Sequence, residues 1–156
     1  RAHHPEEERP QQAVALCRLW AAGEVKMPIA KRALLQAHQV AKELSSPEDT
    51  ALCHAVGQAC ATVHVETHAV GLPVYELTAI VRKYGLEACE RSVEDRIAAY
   101  LECLRTCARD VDADGRRWAA FLLDDSRPNK EQLLAEKQKH GFLPRSDSRP
   151  RSDSPA

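Results

Sequence analysis

Apolar and polar positions along most of this chain recur with the three-and-four spacing of helices packed on one side. Ala13, Cys17 and Trp20 share one face of a first helix predicted over residues 11–22, which Gly23 closes. Pro28 suits the first turn of a second helix. Its stripe is Ala30, Ala33, Leu34, Ala37, Val40, Ala41 and Leu44. The sharpest boundary follows. Ser46 can cap a helix, Pro47 fits its first position, and Glu48 and Asp49 set negative charge beside the positive end of the dipole. The third helix is predicted to run to Val70, with Gly71 as its cap. Ala51, Cys53, Ala55, Val56, Ala59, Cys60, Ala61, Val63 and Val65 make it small or apolar nearly all round, as a buried central helix is.

Pro73 opens a fourth helix with the stripe Val74, Leu77, Ile80, Val81 and Tyr84, ended by Gly85. Ser92 followed by Asp95 suggests a further cap, hence a break near residue 91 and a helix over residues 93–109. Its inner face is Ile97, Tyr100, Leu101 and Leu104. Residues 117–123 read as another helical piece with Trp118, Phe121 and Leu122. Asn129 and Gln132 begin a polar last helix to Lys139, anchored by Leu133 and Leu134 and stopped by Gly141.

No segment alternates with period two, and the connections are short, which makes successive helices antiparallel neighbours. The expected fold is all-α: a single-domain antiparallel bundle of about five to seven helices around an Ala/Val/Cys-rich central one. A polar lead-in over residues 1–9 precedes the helical domain, 10–142. Residues 143–156 read as a disordered tail, since their end, RSDSRPRSDSPA, repeats RSDS and carries no large apolar side chain.

Composition narrows the function. The chain has 156 residues, 44% hydrophobic and 29% charged, enough for one core. Its 22 Lys and Arg against 23 Asp and Glu give a net charge of -1, which removes the electrostatic basis for non-specific nucleic-acid binding. No apolar run is long enough to span a membrane. No signal-peptide pattern opens the chain, and it begins at Arg1 rather than Met, as a chain lacking its first residues would. The 6 cysteines form no CxxC pair, so they read as reduced thiols of a cytoplasmic protein.

The chemistry of interest lies in CATVHVETHAVG, residues 60–71, where His64 and His68 stand four apart. On one helix both rings would share a face. HVETH is one position away from the zinc-protease motif HExxH. At about 100° per residue, however, Glu66 would lie roughly 200° round from His64, out of reach of a metal held there. Three readings stay open for the pair: core histidines satisfied by neighbours, a polar binding pocket, or two ligands of a metal completed from another helix. If the fourth helix folds back at about residue 71, Tyr75 and Glu76 face His68 and Thr67, and His64, His68, Tyr75 and Glu76 are the candidate ligand-binding residues. His38 would come level with Cys53 and His54, roughly 15 Å further along the central helix.

Two other patterns are weaker. DVDADG sets Asp110, Asp112 and Asp114 as the first calcium ligands of an EF-hand loop would be, with Gly115 at the turn. Phe121 then stands where the bidentate Glu is needed, so the stretch reads as an acidic linker. Cys60 with His64 could form a thiolate–imidazole pair, but a central apolar helix gives poor access and raises the thiol pKa. No catalytic residue and no cofactor is assigned.

The succession RPQQAVALCRLWAAGEV, AKRALLQAHQVAKE and HAVGQACATVHVETHAVGLPVYELTAI resembles the immunity-protein-five-like group of bacterial immunity proteins. In that group an ATAHVxxHALG-like segment stands where this chain has ATVHVETHAVG. Trp20, His64, His68 and Gly71 match the pattern, and RRWAAFLL corresponds to a Trp-containing closing helix. The resemblance covers residues 9–123 and is looser after residue 85. It implies a small all-helical domain that neutralises a toxin-like protein partner by binding it, and it brings no catalytic motif. The alternative, from the residues themselves, is a small-molecule or metal-binding helical enzyme with its site around His64 and His68. Surplus apolar helix faces also point to a homo-oligomer.

Overall fold

The computed structural model describes residues 4–113, 115–124, 126, 128 and 130–141. Among these are six α-helices and no strand: α1 (Arg9–Ala21), α2 (Met27–Glu43), α3 (Pro47–Ala61), α4 (Gly71–Tyr84), α5 (Glu90–Asp110) and α6 (Lys130–Gly141). Short 3-10 turns lie at Glu66–Val70, Val111–Ala113 and Ala120–Leu122. The chain divides into two units, Arg1–Asp124 and Asp125–Ala156. α6 belongs to the second and exposes both Leu133 and Leu134. Residues 143–156, read above as a disordered tail, lie outside the described residues.

The predicted start of α3 and the predicted ends of α1 and α4 rest on local chemistry. Asp49 N–H donates to Ser46 Oγ at 3.2 Å, and Thr50 N–H to Ser46 O at 2.9 Å, so Ser46 caps α3. Gly23 (φ 79°) and Gly85 (φ 77°) turn the chain out of α1 and α4 through a conformation that costs other residues a Cβ clash. From His4 onward the lead-in is tied to the body. His4 Nε2 lies 3.1 Å from Asp49 Oδ2, and Arg9 bridges Glu7 and Glu43.

α3 is the central helix and packs on α1, α2 and α4. The core joins Ala13 and Cys17 of α1, Ala30, Ala33, Leu34 and Ala37 of α2, Cys60 and Ala61 of α3, and Val63 beyond it. Most of these are alanines, so the backbones pack closely and burial is shared among many small contacts rather than a few large side chains.

Four expectations need correction. α3 ends at Ala61, not Val70, because Thr62 Oγ1 donates back to Ala59 O at 2.7 Å and the β-branched run Thr62, Val63, Val65 favours extended backbone. Val65 is extended (φ -149°, ψ 108°), and Gly71 opens α4 instead of closing α3. α4 buries Ala79 and leaves Val74 and Tyr84 exposed. α5 starts at Glu90 without a break at Ser92, because Val93 N–H already bonds Cys89 O at 2.9 Å. None of its residues is buried, and Ile97, Leu101 and Leu104 of the expected inner face are exposed. Last, RRWAAFLL forms only the 3-10 turn Ala120–Leu122. Ala119 N–H donates to Ala21 O at 2.7 Å, which holds Ala119 extended (ψ 137°) at the end of α1.

Candidate functional site

A histidine seam runs between α2, α3 and α4. His38 of α2 and His54 of α3 stand Nδ1 to Nδ1 at 3.3 Å, with ring centroids 5.6 Å apart. The Tyr75 ring of α4 lies 5.2 Å from that of His54 on the far side. Gly57, three residues on from His54, leaves room for the His38 ring: a Cβ there would sit 2.3 Å from His38 Cε1. Burial holds the His38 pKa below its ordinary value, helped by the nearby His54, His68 and Lys42.

The chain reversal between α3 and α4 brings His68 back onto the same seam. Its Nδ1 lies 2.7 Å from Gln58 Oε1, so the Nδ1–H donates to that amide. Gln58 is four residues after His54 and therefore on the same face of α3. Gly71 admits it closely, since a Cβ at 71 would meet Gln58 Cγ at 2.6 Å. His64 packs against His68 with the rings tilted by 42° and their centroids 5.5 Å apart. The pair is thus together, though not on one helix.

The four candidate residues divide. His64 and His68 stay in contact, Tyr75 packs on His54, and Glu76 faces α5. There Glu76 accepts from the Tyr100 O–H and pairs with Arg96 Nε at 3.3 Å. Burial, then the Glu76 carboxylate, hold the Tyr100 pKa above the ordinary tyrosine range. Sequence reasoning put Tyr75 and Glu76 opposite His68 because it took the central helix to Val70. With α3 ending at Ala61, α4 lies further back along it. His38 beside His54 was legible, whereas Gln58 was missed although its i+4 spacing from His54 marks it.

Among the described residues no three His, Cys, Asp or Glu side chains converge as for a metal ion. Asp114 of the DVDADG stretch lies outside them. Cys17 Sγ–H donates to Cys60 O at 3.6 Å, and the Cys60 thiol is pushed far up by Cys17 and by burial, which keeps it a protonated core group.

Beside His64 opens a cleft of about 720 Å³ at one end of the bundle. Trp20, Val25, Met27, Val63, Val65 and Phe121 form its apolar walls, and Glu24, Lys26, His64 and Glu66 its polar edge. Trp20 and Phe121 meet with ring centroids 5.4 Å apart. Volume and lining are those of a site that takes one apolar group and orients it with a few polar atoms.

No curated protein and no solved structure matches the chain. Residues 1–103, which carry the seam and all of this cleft except Phe121 and Leu122, match the family described as Imm-5 like putative immunity protein, and the chain belongs to that family.

Proposed function

We propose that this chain acts as a bacterial cytoplasmic immunity protein: it neutralises a toxin-like protein by binding it, without catalysis, and seats an apolar side chain of that partner in the cleft beside His64. The observation that carries the reading is the meeting of Trp20 and His64 in one open apolar cleft. They stand on separate segments, and both belong to the family-like pattern. Trp, Met and Phe, which wall the cleft, are residue types enriched at protein interfaces, and a charged edge suits the rim of one. His68 and Gln58 hold His64 from behind, which makes His64 and His68 part of the site through positioning. Tyr75 and Glu76 support it by fixing α4. The cytoplasmic setting fits a chain whose 6 cysteines are all free. No described helix is long and apolar enough to cross a membrane.

The test is protection of growth. Proteins retained by the wild-type chain but not by Trp20→Asp are expressed alone and scored for toxicity, then co-expressed with each form. Wild type restores growth, Trp20→Asp and Val25→Asp do not, and Leu35→Asp on exposed α2 surface does. Equal protection by the cleft variants, checked as folded by circular dichroism, overturns the cleft as the binding surface.

A second reading, a small-molecule site at His64, is favoured by the cleft volume, which lies within the usual ligand-pocket range. A co-purifying small mass lost in Trp20→Asp would select it.

A further inference from the structure

We infer that α5 pairs antiparallel with α5 of a second copy of this chain. Ile97, Leu101, Leu104 and Ala108 of α5, continued by Val111 just past its end, repeat with spacing four, three, four, three, the seam pattern of a two-stranded coiled coil. Yet this helix is seated on its own chain by another face. Tyr100 and Arg96 engage Glu76 of α4, and Ser92 and Ala99 line the same α4–α5 groove. At about 100° per residue, Arg96, Ser92 and Ala99 lie roughly 100° or more round from Ile97, and Tyr100 lies between the two faces. The seam is left outward: Ile97 is 42% exposed, Leu101 45%, Leu104 65% and Val111 65%.

Charge selects the occupant. Glu94 and Arg105 lie on one flank of the seam, within about 20° of each other round the helix. They stand at opposite ends of its central segment. In an antiparallel self-pairing the same flanks meet, so Glu94 of each copy reaches Arg105 of the other while Ile97 packs on Leu101 across a two-fold axis. A parallel pair would bring opposite flanks together and part Glu94 from Arg105. Within one chain, among the described residues, Arg105 makes a long i,i+3 contact to Glu102 at 3.8 Å, and both side chains are about 70% exposed (71% and 68%), so that contact exchanges at little cost. The isologous arrangement repeats each bridge twice. None of the seam residues lines the cleft beside His64, so the pairing stands apart from the binding reading above.

Sedimentation and native mass spectrometry of the full chain at high micromolar concentration test this. Wild type is expected as a concentration-dependent dimer and Leu101→Glu as a monomer of unchanged helicity. Glu94→Arg and Arg105→Glu alone each raise the dissociation constant about tenfold, and the double exchange returns it close to wild type. A monomeric wild type, a dimer indifferent to Leu101→Glu, or a double exchange no better than the singles overturns the inference. A monomer that loses a different protein partner on Leu101→Glu also overturns it and gives the seam to that partner.

Discussion

His38 and His54 face each other Nδ1 to Nδ1 across the α2–α3 interface at 3.3 Å, so one hydrogen serves both rings. A proton on each would set two positive rings in contact with Lys42 nearby on α2. Tyr75 packs on the outer side of His54, and His68 approaches with Gln58. The charged groups acting on His38 are His54, His68 and Lys42, all basic, so each adds to the cost of the second proton.

A pH dependence follows. The folded His38 pKa lies below its ordinary 6.5, so below that pH the unfolded chain binds more protons than the folded one. Its stabilising contribution is therefore complete above pH 6.5 and is lost as pH falls from there toward the folded pKa. Thermal melts from pH 8 to 5 should show a plateau and then a decline, and His38→Gln should flatten the decline. Glu7 and Glu43 are held below their ordinary 4.5 by Arg9, so their contribution is lost below this window, and an unchanged slope in the variant would contradict the role of His38.

Gly57→Ala inserts a methyl group 2.3 Å from His38 Cε1 and 2.6 Å from its ring nitrogens. Better helix propensity would gain about 1 kcal/mol, but displacing a packed ring in a tight interface costs about 1–3 kcal/mol. Net destabilisation is expected in denaturant melts. Combining it with His38→Ala should recover part of the loss, because the clashing ring is gone.

Ser46→Ala removes the acceptor for Asp49 N–H at the start of the central helix. A loss of about 1 kcal/mol is expected. Ser46→Asp, which keeps an acceptor, should retain most of the stability in the same melts.

Tyr100→Phe removes the hydroxyl that donates to Glu76 and thereby loosens α5. The Glu76 side chain is 22% exposed and keeps Arg96, so the global cost should be small, about 1 kcal/mol. The informative readout is hydrogen exchange, which should speed up in α5 and leave α2 and α3 unchanged.

Much of the bundle was legible because its signals are local. Ser46-Pro47, Gly23 and Gly85 announce their boundaries through capping chemistry and positive φ, and the α2 stripe Ala30 to Ala41 is buried as its spacing requires. The site was half legible for a non-local reason. Nothing in a helical wheel records that Thr62 bonds back to Ala59 and stops α3, and that one event moves α4 so that Tyr75 meets His54 instead of His68. The exposure of α5 was likewise hidden, because an amphipathic stripe states that a face is to be covered without naming what covers it.

The most direct test of the central claim is a stoichiometric titration of the toxin that this chain protects against. Binding without catalysis predicts that toxin activity falls linearly to zero at one equivalent of this chain, that Trp20→Asp removes the inhibition, and that the toxin is released with its mass unchanged. Inactivation by a small fraction of an equivalent, or a covalently altered toxin, would contradict the account and make the cleft beside His64 the site of a reaction.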